Sequence, residues 1–329
     1  MRGGKMPARV RIPIAVLVSL SLLTVAGFVR GSTIEELEKR ANADFIPELR
    51  KAASIALRKK YVQEEFESSR LEEIAKEART RELKGSAIAA LARNFEDVKR
   101  VGSLQEAKEK SEELEEIVKE GETSELKEAA SRSLGIYYLA FNLNDIEGYT
   151  MRDLEKMAKT DEESGLRRAA STALESIYPN SYSAEELKEL IRTSESELIK
   201  EAAAGALAIR YYSRISPDIS LNHLREIASD ENKNVWLRKA AGIAFGEMAR
   251  GDLEPDELKS LTRNGETREI RDGAARAWSL VLADSDRTRG ELERMAGAAT
   301  GYAPEAYRSA LASALAERLL DKDRNKRGD

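Results

Sequence analysis

The chain contains no cysteine and a single histidine, His223. Disulfides, thiolate nucleophiles and Cys/His metal clusters are therefore excluded. A lone imidazole makes a poor metal ligand or general base, so His223 reads as a surface or boundary residue. Aromatic residues are scarce at 5%, only two glutamines occur, and there is no N-x-S/T sequon to suggest a glycosylated secretory protein. Charged residues, in contrast, make up 34% of the chain. That balance suits helices with solvated faces and interiors of alanine and leucine.

Long apolar runs are also missing, with one exception. Arg2, Lys5, Arg9 and Arg11 form a positive flank, and the uncharged stretch 12–29 follows. Thr24-Val25-Ala26 offers small residues for cleavage after Ala26, so residues 1–30 read as a signal peptide. The alternative is an uncleaved anchor, for which 12–29 is at the short end of a spanning helix. Either way the body is expected to be exported: periplasmic or extracellular, or held at the outer face of the cytoplasmic membrane. Without the four basic residues of the flank, 50 Lys and Arg face 59 Asp and Glu. This acidic excess, with no basic block, argues against nucleic acid as a partner and leaves the membrane only residues 12–29.

What the chain has in abundance is repetition. Leu126-Lys127-Glu128-Ala129-Ala130-Ser131-Arg132-Ser133-Leu134 recurs, edited, eight times. The frame is an apolar residue, a basic residue at +1, small residues at +3 and +4, and a large apolar residue at +8. Copies begin at Leu49, Leu83, Leu126, Leu166, Ile199, Leu237, Ile270 and Tyr307. Positions 0, +4 and +8 form one stripe of a helix. A shorter helix precedes each frame, marked by i, i+3 pairs such as Leu154/Met157 and Leu187/Leu190. Thr80, Thr123, Ser196, Asn234 and Thr267, three residues before their frames, are expected to cap the longer helix, and Pro47 and Pro304 to open the first and last ones. Small residues at +3 and +4 let layers stack at roughly 8–10 Å, so eight should span roughly 70–80 Å. The end copies are atypical (Leu311 breaks the small column), as expected of repeats with one side in water. Residues 31–320 thus form one repeat body, and 321–329 a charged tail. The segment Asn142 to Gly148 has Ile146 where a calcium loop needs its third ligand and reads as an ordinary loop.

The helix-turn-helix period and the L-[KR]-x-A-A-x-x-x-L frame resemble the HEAT-repeat family, especially its short bacterial HEAT-like repeats. The resemblance covers about Ile34 to Leu319. It implies an all-α fold, a right-handed α-α superhelix (solenoid) of about eight HEAT-like helix pairs. It also implies a protein-binding scaffold without catalytic activity, with no cofactor or metal. Two alternatives are an anchored structural component of the envelope and, because some HEAT-like proteins are bilin lyases, a lyase or carrier for a small ligand.

The partner is expected to be another protein or peptide, and two groups of residues are candidates for contacting it. The basic column is Arg50, Lys84, Lys127, Arg167, Lys200, Arg238, Arg271 and Arg308. It reads either as a structural ladder binding turn carbonyls and neighbouring acids, or as a cationic stripe along a groove. The second group is aromatic. Position +12 is Tyr61, Phe95, Tyr138, Tyr178 and Tyr211 in the first five copies, which continues the core stripe. Tyr137, Tyr182 and Tyr212 enrich the same region and could form a contact patch, and Trp236 could be partly exposed.

Overall fold

A computed structural model describes residues 32–95, 104–144, 146–213, 219–299 and 303–320. The expected export segment and the charged tail lie outside the described residues. Among the described residues there are sixteen helices and no strand, alternating short and long. The short helices are α1 (Ile34–Ala43), α3 (Ser68–Glu77), α5 (Leu104–Glu120), α7 (Met151–Thr160), α9 (Ala184–Thr193), α11 (Leu221–Ser229), α13 (Pro255–Asn264) and α15 (Arg289–Ala299). Each is followed by its long partner: α2 (Pro47–Gln63), α4 (Arg81–Phe95), α6 (Ser124–Leu143), α8 (Ser164–Ser181), α10 (Glu197–Tyr212), α12 (Val235–Asp252), α14 (Arg268–Asp284) and α16 (Glu305–Leu320). Only α5 departs from this division of lengths, because a charged extension lengthens it at its N-terminal end.

Local chemistry sets the boundaries. Thr80, Thr123, Asn234 and Thr267 accept hydrogen bonds from backbone N–H groups in the first turns of α4, α6, α12 and α14. Ser196 makes no such bond, and its own N–H donates to Ser194 Oγ at 3.2 Å. Thr80 and Thr267 also donate to Ala41 and Ala228, carbonyls of a short helix one repeat earlier, at 2.7 and 2.8 Å. A cap that ends one helix therefore also ties two layers together. Pro47 occupies the first turn of α2, where no N–H is needed.

Every +8 residue, from Leu57 to Leu315, is buried, and so is the leucine at the centre of each short helix. Burying each such side chain contributes about 1.5–3 kcal/mol. Closest approach falls between α12 and α14, where Gly242, Gly246 and Gly273 interlock. A Cβ on Gly273 would stand 2.3 Å from the Gly242 carbonyl oxygen, so only glycine permits this contact.

The packing order departs from the sequence expectation at one point. Each long helix packs on the long helices before and after it, and α16 packs on α2 as fully as internal neighbours pack on one another. The row of repeats closes on itself. Across the seam, Ser32 N donates to the Leu319 carbonyl at 3.1 Å, and Arg308 Nη1 meets Glu48 Oε1 at 3.0 Å. Arg40 pairs with Glu293 at 2.9 Å, Arg289 with Glu36 at 3.4 Å and Lys59 with Glu317 at 2.5 Å. Lys51 Nζ donates to Ser309 Oγ at 2.8 Å. Leu311, expected to mark a free end, is completely buried. No end faces water as a cap, and a rod of 70–80 Å does not form.

Curvature follows from unequal layers. Long helices touch all the way round through alanine, glycine and serine, whereas short helices pack mainly on their own long partner and do not form a layer of mutual contacts. Each pair is therefore a wedge with its narrow side formed by the long helix. The long helices line the inside of the ring and the short ones its outside, and no pair of long helices packs across it.

Candidate functional site

The basic column is used in holding the ring together. Where an acidic residue precedes the next frame, the cation reaches it: Arg50 to Glu82 at 3.5 Å, Lys84 to Glu125, and Arg238 to Glu269 at 3.6 Å. Glu125 is held below the usual carboxylate range, first by the hydrogen bond from Lys84. Arg308 and Glu48 repeat this contact across the seam, so the last repeat treats the first as its successor. Where the residue before the next frame is not acidic, the cation turns back on its own repeat. Lys127 binds the Lys119 carbonyl at 2.6 Å, Arg167 the Asp161 carbonyl at 2.5 Å and Arg271 the Gly265 carbonyl at 2.7 Å, while Lys200 pairs with Glu197 at 2.7 Å. All eight cations therefore have partners within the fold.

Tyr137 is buried, and its hydroxyl donates to the Phe95 carbonyl at 3.1 Å. It has no surface with which to meet a partner, because its position beside +12 turns into the interface between α4 and α6. Tyr182 donates to Glu155 at 3.2 Å, and that carboxylate also accepts from the +12 residue Tyr178 at 3.1 Å. The same motif joins Tyr61 to Glu38 and Tyr138 to Glu115, each 23 residues apart. These hydroxyls tie each long helix to its own short helix. Burial raises the phenols of Tyr61, Tyr138 and Tyr178, and the neighbouring carboxylates add to it. Tyr212 is half-buried, with its phenol raised by burial and then by Glu247. Trp236 is half-buried too; its Nε1 donates to Glu197 at 3.0 Å and Lys239 Nζ lies 3.9 Å above its ring. Of the four candidates, Tyr137 is buried, and Tyr182, Tyr212 and Trp236 are half-buried.

A different surface is open, and the frame did not single it out. On the inner face, a cleft of about 370 Å³ lies between α14 and α16, with Asp272, Arg276, Ser279, Ser309 and Ser313 among its walls. A second, of about 230 Å³, lies between α12 and α14 and shares Asp272 and Arg276. Small side chains make the room: Ala275, Ala306 and Ala310 form the floor of the first cleft. Burial raises the Asp272 carboxyl although Arg268 lies 3.3 Å away, and Glu305 adds to the rise. Further round the same face, Glu175 of α8 reaches water while its carboxylate presses on Gly205 of α10. Burial lifts it, and the neighbouring Glu201 lifts it further.

Asp272 and Ser309 sit at +2, Arg276 and Ser313 at +6, and Ser279 and Glu175 at +9, positions whose identity varies from copy to copy. A search for recurring residues passes over them. The signal that could have revealed them is that variability on an otherwise regular helix. His223 is exposed on α11, 3.7 Å from Glu226. Among the described residues no three His, Asp or Glu side chains converge to hold a metal ion, and no helix is long and apolar enough to cross a membrane. No family model matches the chain, and no curated protein is recognisably similar to it in sequence.

Proposed function

We propose that this chain is a HEAT-like helical array, closed into a ring, that acts outside the cytoplasm as a non-enzymatic protein-interaction module. The inner face of the long helices is its binding surface. One observation carries the reading: the regular cations are occupied within the fold, whereas the variable +2, +6 and +9 positions line open, polar clefts. Regular columns suit packing, and variable exposed ones suit recognition of a particular partner. Export rests on the basic flank and apolar stretch of residues 1–30, and the right-handed winding rests on the family resemblance.

Site-specific photo-crosslinking in the source cells tests the reading. A photoreactive residue at Ser279 or Ser313 on the inner face is expected to capture one or two defined proteins, and one at Glu226 on the outside none. Capture only from the outside, or a small molecule retained by the purified protein, overturns it. Protease accessibility from the outer side of intact cells tests export independently.

A further inference from the structure

Charge is divided between the two layers of the ring. The eight long helices carry 22 Lys and Arg against 14 Asp and Glu, whereas the eight short helices carry 17 against 23. The inner layer is cationic by eight charges and the outer layer anionic by six, in a chain that is acidic as a whole. Part of the inner excess is occupied in the ladder between repeats. Another part faces the bore.

Arg58 on α2 and Arg168 on α8 are exposed, and neither side chain has a hydrogen-bond or ion-pair partner among the described residues. They occupy frame positions +9 and +2, whose counterparts Ser279 and Asp272 line the cleft between α14 and α16. Lys51 and Lys239 share the +2 position. Lys51 donates to the Ser309 hydroxyl, and Lys239 lies over the ring of Trp236 and helps to hold the Glu197 carboxyl below the usual carboxylate range. Across positions +2, +6 and +9 six cations stand against four acids, among them Glu175, Glu201 and Asp272, so the bore keeps a cationic excess of two.

Eight helices spaced at 8–10 Å leave a bore of roughly 10–15 Å once their own thickness is removed. That width takes one extended polypeptide or a single helix and excludes a folded domain. Single-stranded nucleic acid needs aromatic platforms for stacking, and no aromatic side chain lines either cleft. The lining offers serine hydroxyls and small side chains instead, which suit the carbonyls of an extended backbone.

We propose that the bore holds an acidic, extended segment of another protein. The inference rests on the inner-face reading above and adds the chemistry of the occupant. The anionic outer layer repels such a segment, and the cationic bore attracts it, so the charge division steers the ligand inward.

Fluorescence anisotropy with a fluorescein-labelled Glu-Ser-Gly repeat peptide, and with its Lys-Ser-Gly counterpart, tests the proposal. The acidic peptide is expected to bind at low salt and weaken as salt rises, and the basic one not to bind. The double variant R58E/R168E is expected to lower affinity about tenfold or more, since it reverses two unpaired inner charges. The double variant K156E/K159E on α7 makes the same charge change on the outer layer and is expected to leave binding unchanged. Both variants leave the ladder intact, and circular dichroism checks that each is folded. Equal loss in the two variants, no binding of the acidic peptide, or stronger binding of a single-stranded oligonucleotide overturns the proposal. Inner-face cross-links to a partner that lacks an acidic segment overturn it while leaving the interaction reading in place; failure of inner-face cross-linking removes both.

Discussion

Replacing Arg308 by alanine separates a closed ring from an open row of repeats. In an open row Arg308 would belong to a terminal, solvated repeat, and its loss would cost at most about 0.5 kcal/mol. In the ring its guanidinium lies 3.0 Å from Glu48, a carboxylate only 4% exposed. Breaking a fully buried pair from one side costs about 3–5 kcal/mol, and breaking an exposed one about 0.2–1. The Arg308 side chain is 31% exposed, so the expected cost lies between these limits, at about 1–3 kcal/mol. Urea unfolding of the purified protein, followed by circular dichroism, measures it. A double-mutant cycle with Glu48→Ala isolates the contact, and a coupling energy of about 1–2 kcal/mol is expected. Arg238→Ala with Glu269→Ala, the equivalent internal contact, supplies the standard of comparison. Coupling near zero at the seam, with clear coupling at the internal site, would refute the closure. The absence of native cysteine permits a second check. K51C and S309C, placed where Lys51 now bonds to Ser309, should be joined within one chain by a short bismaleimide.

Two further predictions concern packing and titration. Gly273→Ala pushes a methyl group against the Gly242 carbonyl and should destabilise by about 1–3 kcal/mol, whereas Gly85→Ala meets nothing within 4 Å and should stabilise α4 by about 0.5–1; equal thermal shifts would contradict the close approach of α12 and α14. Burial pushes the phenols of Tyr149 and Tyr211 up to about 12. Because the folded state binds these protons more tightly, their stabilisation is complete below the ordinary tyrosine pKa of ~10 and is lost as pH rises through about 12. Absorbance titration at alkaline pH should show a tyrosine fraction that ionises only as helical structure is lost, and ionisation of every tyrosine near the ordinary value would count against the buried hydroxyl pairs.

The sequence by itself determined the elements. An apolar stripe with a period of about 3.6, small residues at +3 and +4 in most copies, and a capping residue before several of the frames are local signals, and the long helices begin close to where these place them. Core positions were legible for the same reason: a side chain at +8 can point only into the stripe. The role of the basic column was half legible. Glu48, Glu82, Glu125 and Glu269 stand before their frames, but whether an acid serves its own repeat or the preceding one depends on how layers are offset. The same uncertainty hid a clue: Glu48 stands before the first frame, and it is Arg308 of the last repeat that meets it at 3.0 Å.

Tertiary structure alone decided the closure. Curvature depends on the small difference between the spacing of long helices and that of short ones, accumulated over eight pairs. No residue encodes that difference by itself. Once the angle per pair approaches one eighth of a turn, the two ends meet, and surfaces that a linear reading assigns to water become an interface. Tyr137 could not be placed from sequence for a related reason, since its helix turns it into the interface between α4 and α6. The inner clefts were also beyond reach of the sequence. They are bounded by residues of adjacent repeats, roughly thirty to forty positions apart in the chain, and they exist only because those repeats pack side by side.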